Sequence, residues 1–213
     1  MISPRDAPRK PEGPSRSSLD QCDDSVLIAR SKQGDRQAFD QLVTRYSAQI
    51  YNFAYRMTNN RDDAEDIYQE AFLHAFRGIG SFRADSAFST WLYRIVRNVY
   101  LDEMKRRRAR PYASLEENIQ TEDGSIARDV QDDAPTPEEA VQINERRRAV
   151  RRAIAQLPET QREILILYEM NQHSYEEIAA ILGINVGTVK SRLNRARRSL
   201  RDRLLAEKEL FDL

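Results

Sequence analysis

Glycine, cysteine and histidine are all scarce here: 213 residues carry seven glycines, one cysteine and two histidines. So few glycines, with little period-two alternation of apolar and polar residues, predict a helical chain rather than one built on strands and tight turns. A single cysteine, Cys22, excludes an internal disulfide and a cysteine-rich zinc site. Neither His74 nor His173 has an evident carboxylate–nucleophile set around it. Glu176-Glu177 resemble paired acids, but helix capping accounts for Glu177 and the helix dipole favours Glu176. No P-loop or dinucleotide-binding glycine motif is present. The expectation is a binding protein, not an enzyme, with no cofactor. Also missing are an apolar N-terminal run suited to a signal peptide and any stretch of about 18 apolar residues. A soluble, cytoplasmic chain with no membrane insertion is expected.

Net charge is absent too, at zero, and by itself argues for no partner. Its distribution says more. From Arg94 to Arg110 seven basic residues stand against Asp102 and Glu103. From Pro111 to Glu139 nine acids stand against Arg128 alone, and from Val186 to Arg203 seven basic residues stand against Asp202 alone. The two basic patches can hold phosphates, while the acidic stretch is repelled by nucleic acid. Residues 1–21 are rich in Pro, Ser, Arg and Lys and read as a disordered tail. Helical patterns fill 22–110. Gly124, Pro135, Pro137 and the acids mark 111–137 as a flexible acidic linker, and a second helical block occupies 138–213. The predicted fold class is all-α, with two helical domains.

The second block is the more legible. Pro158 suits the first position of a helix, with Ile164, Leu165, Leu167 and Tyr168 on its apolar face, and Asn171 to His173 break the pattern. Ser174 and Glu177 fit a capping box for a helix over Tyr175 to Leu182. Gly183 suits the left-handed residue that ends it, and Asn185 suits the cap of the next. There Val189, Leu193, Ala196 and Leu200 form a buried stripe at steps of four, three and four. The other face carries Thr188, Lys190, Ser191, Arg192, Asn194, Arg195 and Arg198. A short helix, a glycine turn and a basic second helix make a helix-turn-helix, whose second helix enters the major groove. Lys190, Ser191, Asn194 and Arg195 are the base-reading candidates. Arg192, Arg197, Arg198 and Arg201 are better placed for phosphates or solvent. The bland alternative is a solvated amphipathic helix.

In the first block, Ala64, Ile67, Tyr68, Ala71, Phe72 and Ala75 form an inward stripe. The opposite face shows Asp66, Gln69, Glu70 and Leu73. Carboxylates and an amide around one exposed leucine suit a basic partner helix, although composition alone favours an ordinary solvated face. After Gly78 and Gly80, residues Phe82 to Phe88 read as a loop, and Ser86 or Ser89 as the cap of the following helix. Phe88, Trp91, Leu92, Ile95 and Val99 form that helix's buried face, with Arg94, Arg97 and Asn98 beside or away from it. A polar loop next to a basic helix suits single-stranded DNA; the bland reading of Trp91 is a core residue. Lys105 to Arg108 read as a general phosphate-attracting helix end.

Asp63-Ala64-Glu65-Asp66-Ile67-Tyr68-Gln69-Glu70-Ala71-Phe72, then Phe88-Ser89-Thr90-Trp91-Leu92-Tyr93-Arg94-Ile95, then Tyr175-Glu176-Glu177-Ile178-Ala179 through Gly187-Thr188-Val189-Lys190-Ser191-Arg192 together resemble the extracytoplasmic-function (group four) sigma factors of the sigma-70 family. The resemblance runs from about Asp23 to Leu205. It implies a region 2 domain and a region 4 domain, and core RNA polymerase as partner through its beta-prime clamp helices and beta flap. It implies promoter DNA as ligand, and an anti-sigma factor as a common regulator under stress. Polymerase contacts are implied at Asp63, Asp66, Gln69, Glu70 and Leu73. Minus-10 contacts are implied at the loop Arg83, Ala84, Asp85, Ser86 and Ala87, and at Trp91, Arg94, Arg97 and Asn98. Minus-35 contacts are implied at Thr188, Lys190, Ser191, Asn194, Arg195 and Arg198. The acidic linker looks like the segment that threads toward the polymerase active-site channel. Two turn positions depart from the family pattern: Asn171-Gln172-His173 where a glycine-containing turn is common, and Asn185 where proline is common. A polymerase-independent helix-turn-helix regulator is the competing expectation.

Overall fold

The structure, a computed structural model, describes residues 22–109 and 137–206, with side chains from residue 141 onward in the second segment. The expected N-terminal tail and nearly all of the acidic linker lie outside the described residues. Among those residues every regular element is helical.

Four helices form the first domain: α1 (Asp24–Lys32), α2 (Arg36–Thr58), α3 (Arg61–Gly78) and α4 (Phe88–Ala109). Short polar residues set their boundaries. Asp35 accepts from the Ala38 N–H at 3.2 Å and starts α2, satisfying one of the donors a helix start leaves free. Asn59 ends α2 in the left-handed conformation at φ 53°, and Asn60 caps α3 through the Asp63 N–H at 3.1 Å. The expected stripe on α3 faces inward: Ala64, Ile67, Ala71, Phe72 and Ala75 are buried and Tyr68 is half-buried. They meet Leu42, Ile50, Phe53 and Met57 of α2 and Leu92 and Val96 of α4. Each leucine, isoleucine, valine, phenylalanine or methionine fully buried there stabilises by about 1.5–3 kcal/mol.

The second domain holds α5 (Pro137–Ala155), α6 (Glu159–Leu165), α7 (Tyr175–Leu182) and α8 (Val186–Leu205). The chain beyond α6 does not stop but widens over Ile166–Met170, where the Asn171 N–H reaches back five residues to Ile166 O at 3.1 Å. Such a wide turn accommodates an extra residue in a helix. Leu157, Ile164, Ile166, Ile178, Ile181, Val189 and Leu193 form the core.

Three boundaries differ from expectation. Pro158 is the cap residue of α6 rather than its first helical residue; its extended ψ of 141° keeps it outside the helix. α4 begins at Phe88, so Ser89 lies inside it and does not cap it. The first α4 bond runs from the Trp91 N–H to Ala87 O at 3.2 Å, which puts Ala87, not Ser86, at the cap position. Pro137, read as the last linker residue, opens α5.

The two domains touch. α7 packs on α4, and the Arg162 guanidinium donates to Met57 O at 2.8 Å.

Candidate nucleic-acid and polymerase interfaces

The helix-turn-helix is built as its sequence dictates. Ser174 Oγ accepts from the Glu177 N–H at 3.1 Å, and the Glu177 carboxylate accepts from the Ser174 N–H at 2.8 Å. That bond holds the Glu177 carboxyl below its ordinary pKa. Gly183 closes α7 at φ +66°, a left-handed conformation that glycine adopts without steric cost. Asn185 Oδ1 then accepts from both the N–H (2.7 Å) and the hydroxyl (2.8 Å) of Thr188. Val189, Leu193 and Ala196 anchor α8, and Leu200 is half-buried.

This anchoring fixes which side chains face out. Lys190, Ser191, Asn194, Arg195 and Arg198 are all exposed on one helix. Thr188 is half-buried, with its hydroxyl engaged in the cap. Arg197 is drawn aside by Glu169, at 2.6 Å, and lies 5.0 Å from the Tyr168 ring centroid. Tyr168 and Tyr175 stack at 5.2 Å, and the Lys190 ammonium stands 5.7 Å from the Tyr175 centroid. Sequence reasoning missed this aromatic pair, because the widened turn that brings Tyr168 over Tyr175 leaves no periodic signal.

In the first domain, Arg83, Ala84, Asp85, Ser86 and Ala87 form an exposed loop. Ala84 is left-handed at φ 58°, a conformation costing a non-glycine residue roughly 1–2 kcal/mol. Beneath the loop, the rings of Phe82, Phe88 and Trp91 meet at 5.2–5.7 Å. Trp91 is half-buried in this cluster, so it is at once a packing residue and an accessible edge. Along α4, Arg94 and Asn98 are exposed. Arg97 is not free: it forms an ion pair with Glu163 of the second domain.

The face of α3 is a groove. Asp63, Asp66, Gln69, Glu70 and Leu73 line it together with Arg106 and Arg107 from the end of α4. Arg107 forks onto Asp63, with one bond at 2.7 Å, and also meets Glu103 at 3.0 Å. Arg106 lies 3.6 Å from Glu70, and Gln69 donates to Glu65 at 2.9 Å. Asp66 has no ion-pair partner among the described residues. Leu73 is 54% exposed and Phe76 41%, an apolar strip beside the acids. The Lys105 to Arg108 run, read as a phosphate-attracting end, also meets acids within the protein. Arg106 and Arg107 answer acids of the groove, and Arg108 reaches Glu159 at 3.2 Å.

Two helical modules, one carrying a helix-turn-helix and the other an exposed loop over an aromatic cluster and an acidic groove, define a transcription factor of two-part design. The comparisons with known proteins agree with that class. Residues 42–110 match the model of sigma-70 region 2, and residues 147–200 that of sigma-70 region 4. The RNA polymerase sigma-H factor of Pseudomonas aeruginosa is 39% identical over 184 residues, covering 85% of this chain and 94% of that protein. The ECF RNA polymerase sigma factor SigW of Bacillus subtilis is 38% identical over 177 residues, covering 83% and 94%. Among solved structures, the sigma factor RpoE of Bartonella quintana, in complex with the anti-sigma factor NepR, matches with a TM-score of 0.58 and 28% identity, over 78% of this chain and 96% of that one. The chain belongs to the sigma-70 family of RNA polymerase sigma factors, in its extracytoplasmic-function group.

Proposed function

We propose that this chain is an alternative sigma factor that binds core RNA polymerase, reads minus-35 and minus-10 promoter elements and initiates transcription. It acts by binding, in the cytoplasm, without catalysing a reaction. The observation that carries the reading is the exposed row Lys190, Ser191, Asn194 and Arg195 on a firmly capped second helix. Arginine and lysine donate to guanine, and asparagine pairs with adenine in the major groove. Arg198 adds a phosphate contact, and Thr188 contributes through the helix start.

Minus-10 recognition falls to the Arg83–Ala87 loop and to Arg94, Arg97 and Asn98. A base drawn out of the stack would lie against the aromatic cluster that includes Trp91, a sequence-tolerant platform worth about 1–3 kcal/mol per stacked base. Polymerase docking falls to Asp63, Asp66, Gln69, Glu70 and Leu73, where carboxylates beside an exposed apolar strip fit a basic helix of the polymerase clamp. Domain limits of 22–110 and 138–213, with the acidic linker between, fit this division of labour. Control by an anti-sigma factor, as in stress responses, is supported by the likeness to RpoE in complex with one. The deciding experiment is reconstitution with core polymerase and run-off transcription. Promoter-specific RNA is the expected product; failure to bind core enzyme would refute the proposal.

A further inference from the structure

The loop Arg83–Ala87 has little bracing of its own. The side chains of Arg83, Asp85 and Ser86 form no hydrogen bond or ion pair among the described residues, and Ala84 holds a left-handed φ of 58°. A strained turn keeps its shape only where the structure on either side fixes it. The far end is fixed by α4, through Ala87 O and the Trp91 N–H. The near end leaves the single turn Ile79–Ser81 at Phe82, whose ring is buried against Phe88 and Trp91. The Phe82 carbonyl lies on the peptide that carries the chain into Arg83, so its direction sets the path of the loop. That carbonyl accepts from the ammonium of Lys32, fifty positions earlier in the chain. The same ammonium stands 5.7 Å from the Phe82 ring centroid.

Lys32 is itself firmly placed. It is the last residue of α1, whose Leu27, Ile28 and Ser31 are buried, and α1 packs on Ile79–Ser81. Just beyond it Gly34 turns the chain at φ +89°, a conformation that side chains disfavour. The Gly34 N–H returns to Ser31 O at 3.0 Å and the Asp35 N–H to Arg30 O at 3.1 Å. Arg30 then donates twice to one Asp35 carboxylate oxygen, at 2.8 and 2.6 Å. The corner between α1 and α2 is therefore pinned, and it presents the ammonium to the loop. A charged donor makes a stronger hydrogen bond than a neutral one. Helix α1 ends ahead of residue 42, where the match to sigma-70 region 2 begins, so the brace comes from outside that matched stretch.

We propose that Lys32 is a positioning residue for minus-10 recognition: its ammonium fixes the Phe82 carbonyl and so sets the geometry in which the Arg83–Ala87 loop accepts a base. Lys32 acts through the loop and does not touch the strand. This rests on the reading that the loop holds a minus-10 base. The rival role for the same charge is a phosphate contact, and the two roles read out differently. A phosphate contact strengthens every sequence alike and adds to the salt dependence, whereas a positioning contact favours the one base that the loop reads.

The test is fluorescence anisotropy with holoenzyme reconstituted from core polymerase and the full chain. The probe is a single-stranded oligonucleotide carrying the minus-10 segment of a promoter that this holoenzyme transcribes, together with versions in which each base is exchanged. Lys32→Met keeps the apolar stem and removes the donor. It should lower discrimination at one base about tenfold, or about 1.4 kcal/mol, near the lower end for a charged hydrogen bond. The salt dependence of binding should stay unchanged, and Lys32→Arg should restore discrimination. A uniform loss across all versions, with a salt slope smaller by about one, would make Lys32 a phosphate contact and overturn the proposal. Unchanged discrimination would overturn it too, even with a lowered Tm, since Lys32 would then serve only the fold. If Lys32→Met loses its helical signal, Lys32→Gln, too short to reach the carbonyl, repeats the test, and loss of the fold in both overturns the proposal. A loop variant combining Ala84→Gly, Asp85→Gly and Ser86→Gly separates this proposal from the reading beneath it. Should that variant lose discrimination while Lys32→Met keeps it, only the role of Lys32 falls. Should the loop variant also discriminate as the wild type does, the loop reads no base and the role of Lys32 falls with it.

Discussion

Replacing Asn194 by alanine should damage promoter reading and nothing else. Asn194 is exposed on α8 and makes no side-chain hydrogen bond among the described residues, so its truncation should change stability by less than about 0.5 kcal/mol. If its amide pairs with an adenine edge, that pairing supplies roughly 1–3 kcal/mol of discrimination, or about 5- to 150-fold at one minus-35 position. Asn185→Ala is the contrasting perturbation. Asn185 holds the N–H and hydroxyl of Thr188, and losing such a cap costs about 1 kcal/mol of stability. For a domain of this size that is a fall in Tm of roughly 4–8 °C. Asn185→Ala should therefore weaken transcription evenly across promoters, while Asn194→Ala should flatten preference at one base. The assay is run-off transcription by reconstituted holoenzyme on promoters with each minus-35 base exchanged, alongside thermal melts. Unaltered base preference in Asn194→Ala, or a preference lost only through unfolding, would refute the placement of this face in the groove.

Asp66→Arg should abolish binding to core polymerase in a pull-down while the helical signal and melt are retained, since Asp66 is exposed and answers no internal cation; undiminished binding would move the docking face elsewhere. His173 is buried beside Tyr93 and Glu177, and burial, outweighing the Glu177 charge, lowers its pKa below the ordinary 6.5. The unfolded chain therefore takes up the proton first, so stability is fully present above about pH 6.5 and declines as pH falls through the folded pKa. Thermal melts between pH 7.5 and 5.5 should show this step in the wild type and not in His173→Gln. Ala84→Val should destabilise by more than about 1 kcal/mol, because a β-branched residue at positive φ is a greater strain than alanine. Ala84→Gly should be tolerated, and denaturant unfolding distinguishes the two.

What was legible in the sequence was what short-range chemistry decides. Ser174 with Glu177, Gly183 and Asn185 specify their own caps within three residues, so the helix-turn-helix emerged almost residue for residue. The α3 stripe was equally local. The α4 face was read only in part. Of Phe88, Trp91, Leu92, Ile95 and Val99, expected on the buried face, Trp91 and Ile95 are only half-buried, and Tyr93, Val96 and Tyr100 are buried too. The periodic pattern allowed one partner surface; Tyr93 meets a second, supplied by residues 163 to 173. The partner of Arg97 was not legible for the same reason, since its carboxylate lies 66 positions away. Nothing around Ala84 signals a left-handed residue, because alanine is not the type that favours it. Ser89 was misplaced because Ser86 and Ser89 both offered a plausible cap, and Pro158 by one position, because its fixed φ suits the residue before a helix as well as the first one in it.

The arginines make the same point about charge. Counted along the chain, the end of α4 and the whole of α8 look like equivalent cationic patches. In space they differ. Arg106, Arg107 and Arg108 each face a carboxylate from another helix; Arg106 and Arg107 thereby shape the groove on α3, while Arg108 reaches the second domain. Lys190, Arg195 and Arg198 have no acidic partner among the described residues, so their charge remains available to phosphates and base edges. A run of basic residues therefore says where cations are. Whether they serve the fold or a ligand depends on which acids the tertiary structure brings to them, and on α4 it brings acids from both domains.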